Sequence, residues 1–336
     1  MEVWLHSFAL AGKTAERARW AERAGFDGLL LADSQNLTAD VWMELALAAA
    51  ATERLRLGTG VTNPATRHPA VTASAAATLQ AESAGRAVLG LGRGDSALAK
   101  IGRGPVHVAE LEAAAERIQA YLSGEPADLD GFSSQLAWIR AGGEPKVPLH
   151  IAATGPHVIA LGARLAEGID LTVGAEPKRL EWALGVAREH SDGAAGAASV
   201  GAFLNVGVAD DAGSARDLVR GSAAIFARFA TEGAPETGLS EATRHGVEAL
   251  ASDYDEARHG QAAAPHARAL GDEFIDRFAV AGDPGHVAER LLEIAALGVE
   301  RLVLVPGSLD AAPDAMARSD ELLAEAVLPR LREAVR

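Results

Sequence analysis

Arg86-Ala87-Val88-Leu89-Gly90-Leu91-Gly92-Arg93-Gly94-Asp95-Ser96 is an apolar run that breaks into glycines, a carboxylate and a hydroxyl. The run reads as a buried strand that opens onto polar groups at its C-terminal end, the place where α/β proteins keep their chemistry. Glycines at 90, 92 and 94 remove side chains where a ligand or a neighbouring backbone approaches closely. Two readings fit this spacing. One is a site with Asp95 and Ser96 facing it, and the other is a glycine-rich turn followed by a helix cap.

The same phrase recurs along the chain: an alanine-rich amphipathic segment, a glycine, then a short β-rich run. It occurs at Gly25 before Leu29 to Leu31, at Gly85 before Val88, at Gly168 before Leu171 to Val173, and at Gly298 before Leu302 to Val305. Each glycine reads as a helix C-cap feeding a buried strand. Adding Val3 to Phe8, Leu55 to Val61, Pro148 to Ala152 and Val200 to Val208 gives eight candidate strands. Eight βα units in 336 residues predict an α/β fold, a TIM (β/α)8 barrel forming one domain over residues 1–336, with a doubly wound open sheet as the competitor. Residues 123–147 and 231–279 do not fit the repeat and read as insertions at the C-terminal ends of strands, where lids and binding loops sit.

Composition narrows the chemistry. The 31 Lys and Arg against 46 Asp and Glu give a net charge of -15, which argues against nucleic acid or an anionic membrane surface as partner. No cysteine is present, so disulfides, thiolate nucleophiles and Cys-ligated metals are excluded, as suits a cytoplasmic protein. No apolar run is long enough to span a bilayer. Ser7 stands where a P-loop would need its first glycine, and Gly90, Gly92 and Gly94 lack the spacing of a dinucleotide fingerprint. The ten histidines form no His-Glu-x-x-His helix, and no Gly-x-Ser-x-Gly elbow occurs. The expected partner is a small-molecule substrate.

A barrel would gather the strand ends: Asp33-Ser34, Gly60-Val61-Thr62-Asn63, Arg93-Gly94-Asp95-Ser96, Thr154-Gly155-Pro156-His157 and Thr172-Val173-Gly174, with His6 on the first strand. Thr154-Gly155-Pro156 places a proline in the first turn of a helix and leaves N–H groups aimed at its start. That is either a phosphate cradle or an ordinary N-cap.

The run Leu57-Gly-Thr-Gly-Val-Thr-Asn-Pro-Ala-Thr-Arg-His-Pro69, followed by Gly85-Arg86 to Ser96, resembles the bacterial-luciferase-like superfamily, and within it the methylenetetrahydromethanopterin reductase branch. Ile151 to Pro156, Phe278 to Pro284 and Gly298 to Leu304 carry further similarity. The resemblance implies a TIM barrel that binds coenzyme F420, or alternatively FMN, and moves a hydride to or from a small organic substrate. It also implies a non-proline cis peptide at Gly60-Val61 against the cofactor ring and Asp95 as an acid near that ring. Thr154, Gly155, Pro156, Thr172 and Gly174 align with segments that hold the cofactor phosphate. Relatives of this kind are commonly dimers or larger homo-oligomers.

Two departures bear on these assignments. Asp33-Ser34 replaces the Asp-His of some relatives, and Ala175 replaces a lysine after the sixth strand. The candidate catalytic set is Asp95, Asp33 and Ser34. The candidate cofactor set is His6, Asp33, Gly60, Val61, Thr62, Asn63, Arg93, Gly94, Ser96, Thr154, Gly155, Pro156, His157, Thr172 and Gly174. Arg67, Arg93 and Arg103 are the cations expected to meet an acidic cofactor tail. An FMN-dependent monooxygenase and a flavin-binding barrel without turnover are the alternatives.

Overall fold

Side chains alternate along the strands between two apolar environments, and that alternation builds the barrel. In β1 (Glu2–Phe8), Val3 and Leu5 pack against the surrounding helices, whereas Trp4 joins an inner cluster. The pattern repeats in β2 (Gly28–Ala32), β3 (Arg56–Thr59), β4 (Ala87–Leu91), β5 (Leu149–Ala153), β6 (Gly168–Leu171), β7 (Ser199–Val208) and β8 (Arg301–Pro306). Leu29, Leu57, Leu89, Leu149, Ile169, Leu204 and Leu302 face the helices, while Leu30, Val88, Phe203, Val303 and Val305 fill the inside. Strands buried on both faces need apolar residues at every position, hence runs such as Leu302-Val303-Leu304-Val305.

This computed structural model describes residues 1–139, 145–191, 198–230 and 241–334. Each barrel strand pairs in parallel with its neighbours, and β6 pairs with β7 through Ile169 opposite Val200 to close the ring. The fold is a TIM barrel, as the αβ repeat predicts. A short strand, Val280–Gly282, extends the sheet beside the far end of β7. Among the described residues no helix is long and apolar enough to cross a membrane.

The lower barrel interior is filled by pairing bulky residues with glycine. A Cβ on Gly28 would lie 2.4 Å from the Trp4 ring, and one on Gly168 would lie 2.5 Å from the His150 ring. Beside them Arg301 donates two hydrogen bonds to Asp170 Oδ1, at 3.0 and 2.7 Å, and His150 Nδ1 lies 3.3 Å from Asp170 Oδ2. Burial alone would raise the Asp170 carboxyl, but the Arg301 charge holds it well below the carboxylate range. Removing one partner of such a buried pair costs about 3–5 kcal/mol.

The glycine repeat holds at three of four sites. Gly25, Gly85 and Gly298 adopt positive φ after helices, and the Gly25 N–H closes on the Ala21 and Glu22 carbonyls. Gly168 differs: the helix Pro156–Leu165 ends earlier, capped at Ala166, and Gly168 is the first residue of β6. It is glycine because the His150 ring occupies its side-chain space. Strand β6 therefore ends at Leu171, and Thr172 to Gly174 lie beyond it.

The two insertions behave differently. Residues 123–147 follow the helix Val108–Ser123 and precede β5, so they lie at the entry of a strand and not at a C-terminal end as expected. There a hairpin, Ala127–Leu129 with Phe132–Ser134, packs Ala127 against Tyr121 and Ala73 on the outer helices. Residues 140–144, and residues 231–240 of the second insertion, lie outside the described residues. The rest of that insertion runs through the helix Glu241–Ser252, a 3-10 turn at Glu256–Arg258 and the helix Asp272–Phe278, and it returns to the barrel mouth.

Candidate functional site

A cavity of about 770 Å³ opens at the C-terminal ends of the strands. One wall is made by His6 of β1, Gly60 and Val61 beyond β3, and Gly92 beyond β4. The Gly60–Val61 peptide is cis, as the family resemblance implies. His6 Nε2 donates to the Gly60 carbonyl at 2.8 Å, and burial lowers the imidazole to about 4, so the ring is neutral near pH 7. With Nε2–H spent on that carbonyl, His6 offers the cavity an acceptor only.

The glycines of the opening run serve this wall. A Cβ on Gly90 would meet the Thr59 carbonyl oxygen at 2.1 Å, and one on Gly92 would meet Val61 Cγ2 at 2.8 Å. Gly94 has φ of 83° and stands against Asn63 Cβ. The room they leave is taken up by the neighbouring bulge at Thr59 to Asn63, and only Gly92 and Gly94 also border the cavity.

Asp33 is fully engaged. Its Oδ2 accepts from Thr62 Oγ1 at 2.7 Å and from the Arg67 guanidinium, and its Oδ1 accepts from Gln35 Nε2 at 2.8 Å. Arg67 also pairs with Asp40 at 2.8 Å, so it is committed to this network and not to a ligand tail. These bonds make Asp33 a tie between the end of β2 and the bulge, while its side chain also borders the cavity. Asn63 is likewise internal: its Oδ1 accepts the Ala65 and Thr66 N–H groups, both at 3.1 Å.

Just beyond Gly92, Asp95 and Ser96 begin the short helix Asp95–Ala99, and both line the space with Arg93 and Gly94. Arg93 Nε donates to the Val106 carbonyl at 2.8 Å. Ser34 lines the cavity as well. Thr154 and Thr172 meet with their hydroxyls 2.6 Å apart at its edge. The helix Pro156–Leu165 behind Thr154 has no side-chain cap, and the space beside Gly155 is open. That arrangement leaves first-turn N–H groups available to an anion, as a phosphate needs.

The cavity lining therefore includes His6, Asp33, Ser34, Gly60, Val61, Arg93, Gly94, Asp95, Ser96, Thr154 and Thr172 from the expected set. Thr62, Asn63, Gly155, Pro156, His157 and Gly174 fall outside it. Thr62 and Asn63 are buried within the bulge, and a Cβ on Gly174 would strike the Phe278 ring at 2.6 Å, so its glycine serves packing.

Sequence reading missed the opposite wall. Phe8 ends β1, Phe203 lies on β7, Phe226 on the helix Ala212–Ala230, and Val305 to Leu309 run from the end of β8 into the loop after it. His6, Phe203 and Phe226 form a chain of ring contacts with centroids 5.6 and 6.1 Å apart. His259 and Gly260 of the second insertion complete this side. Pro306-Gly307-Ser308 carries the turn chemistry seen at the other strand ends and was a legible signal. The aromatic residues read only as core.

Comparison with known proteins gives four findings. Residues 5–301 match the sequence family described as luciferase-like monooxygenase. The chain is 34% identical over 330 residues to 5,10-methylenetetrahydromethanopterin reductase of Archaeoglobus fulgidus, covering 93% of each chain. It is 37% identical over 171 residues to the F420-dependent glucose-6-phosphate dehydrogenase of Beutenbergia cavernae, covering 46% of this chain and 50% of that one. Among solved structures, the coenzyme F420 dependent tetrahydromethanopterin reductase from Methanopyrus kandleri superposes with a TM-score of 0.75 at 24% identity, over 98% of this chain and 99% of that one.

Proposed function

The chain belongs to the luciferase-like monooxygenase family, and from that premise we propose that it is a coenzyme F420-dependent oxidoreductase acting on a small organic substrate. The observation that carries this reading is the convergence, in one cavity, of Asp95, the Thr154 and Thr172 hydroxyls, and a wall of Val61, Gly60 and Gly92. The relatives named for F420 support the choice of cofactor.

The residues present suit such a ligand. Val61 and the glycines give a surface without long side chains, on which a planar ring can lie. Thr154, Thr172 and the uncapped start of the helix Pro156–Leu165 offer donors to a phosphate. When bound, a deazaflavin supplies the hydride-donating or hydride-accepting carbon; the protein supplies orientation and electrostatics. Asp95 stands beside the ring region as the acid that assists protonation, and Phe203 and Phe226 keep water from the opposite face.

Titration of the purified protein with F420 and, separately, with FMN, followed by absorbance and fluorescence, tests the proposal. A saturable response to F420 with little response to FMN is expected. Tight FMN binding without a response to F420 would favour the oxygen-using chemistry instead. F420 binding without any substrate-dependent oxidation or reduction would leave a binding protein.

A further inference from the structure

The cavity does not end at the barrel mouth. Its lining continues outward between two leucines that are each 46% exposed, Leu10 after β1 and Leu309 after β8. From there it runs between Lys13 with the helix Thr14–Ala24 on one side and the helix Pro313–Leu322 on the other. The first wall carries Lys13, Arg17, Trp20 and Arg23, and the second carries Met316 and Asp320. Spacings of four, three and three residues set the first four along one side of their helix. At a rise of 1.5 Å per residue, Lys13 and Arg23 stand about 15 Å apart along the axis. This outer groove lies across the barrel from Thr154 and Thr172, because β1 and β5 are opposite each other in the ring of strands.

The charges along the groove are not equivalent. Arg17 is spent: both of its terminal nitrogens donate to Asp320, one at 2.9 Å, and its guanidinium lies over the Trp20 ring at 4.1 Å from the centroid. Trp20 in turn packs on Phe26, with ring centroids 5.7 Å apart. The middle of the groove is thus a fixed floor whose ion pair is neutral overall. Lys13 and Arg23 are exposed, and their side chains make no hydrogen bond or ion pair among the described residues. Glu16 lines the same wall between them. A negative group on a ligand is therefore repelled at the middle of the groove and attracted at its two ends.

We propose that this outer groove is a binding subsite for an arm of the substrate: an extended chain with a neutral middle and a carboxylate or phosphate toward each end, one at Lys13 and one at Arg23. The subsite rests on the reading above that the reacting end of the substrate occupies the cavity. Leu10 and Leu309 mark the point where the arm leaves it. A single surface attraction of this kind is weak. Two act together when one chain carries both negative groups, and affinity then depends on their spacing. The arm selects which molecules are held and takes no part in hydride transfer.

Blocked peptides test this on the whole 15N-labelled protein at about 0.01 M salt, where charges act over about 30 Å. Acetyl-Glu-Gly-Gly-Gly-Glu-amide places its two acidic residues about 14 Å apart when extended. It is expected to shift the Trp20 indole N–H resonance, assigned with Trp20→Phe, whereas the neutral acetyl-Gln-Gly-Gly-Gly-Gln-amide leaves that resonance in place. Lys13→Gln and Arg23→Gln should each weaken binding at least threefold, and the double variant at least tenfold. Arg19→Gln, on the same helix but outside the groove, should change it less than twofold. Replacing the acetyl group by 4-phenylbutanoyl should tighten binding at least fivefold as the ring enters the cavity. Phosphoserine in place of the two glutamates binds more tightly if the arm is a phosphate and less tightly if it is a carboxylate. An unmoved Trp20 resonance, an equal loss in Arg19→Gln, or no gain from the phenylbutanoyl group would overturn the proposal. So would a more than twofold loss of F420 affinity in the double variant, which would give the groove to the cofactor. A wild-type protein that binds the peptides as expected but binds no F420 would instead overturn the deazaflavin reading and leave the groove as a subsite.

Discussion

Asp33 and Asp95 look alike in the sequence, each an acid just past a strand, and their surroundings separate them. Both oxygens of Asp33 accept hydrogen bonds from Thr62, Arg67 and Gln35, which hold the bulge. Asp95 borders the cavity at the first turn of its helix. Replacing Asp95 by Asn keeps size and shape and removes the charge, so cofactor affinity should be little changed. General acid–base assistance is worth about 100- to 10,000-fold, and kcat should fall within that range. Turnover equal to the wild type, measured alongside an F420 titration, would remove Asp95 from the mechanism.

At the level of elements, strands β3 and β4 form one device. The glycines of β4 read from sequence as space for a ligand, but the structure fills much of that space with the Thr59 carbonyl and the Val61 side chain. A glycine run signals close approach without naming the approaching group, which here comes from the adjacent strand. Gly90→Ala should therefore act on folding first: the added methyl meets backbone at 2.1 Å, where no side chain can swing aside. Overpacking of this kind costs about 1–3 kcal/mol. A lower thermal midpoint together with weaker F420 binding is the expected pair of results, and an unshifted melting curve would show that the bulge has slack.

On the scale of the whole molecule, several buried histidines make stability depend on pH. Burial lowers His6 and His259 to about 4 each; it also lowers His150, with the Arg301 charge adding to the effect. Near pH 7 these rings are neutral both folded and unfolded and contribute no pH dependence. Below about 6.5 the unfolded chain binds protons that the folded chain refuses, so stability falls as pH drops toward 4. Each such proton is worth about 1.4 kcal/mol per pH unit. The melting temperature should be flat between pH 7 and 8 and fall steeply from pH 6 to 4.5, before the carboxylates titrate. A profile flat across that interval, followed by scanning calorimetry, would contradict neutral burial of these rings.

The sequence by itself determined an α/β fold of eight buried parallel strands, because the repeat of amphipathic segment, glycine and apolar strand is a local pattern; the pairing of β6 with β7 that closes those strands into a barrel, and not an open sheet, was decided by the tertiary structure. The sequence also determined the Val61 and Asp95 side of the cavity, where glycines, polar strand ends and the family resemblance coincide. Only the tertiary structure decided which residues of the strand ends border the cavity and which are taken up in holding the walls, as with Asn63 and Gly174. It alone decided the aromatic wall, because Phe203 and Phe226 are indistinguishable in sequence from core. The same holds for His259, 225 positions from Ser34 and 164 from Asp95 in a chain of 336, counted as differences of residue number. Its Nδ1 meets Tyr254 within the insertion, but the cavity it borders is assembled from strand ends hundreds of residues apart, and no local pattern encodes that.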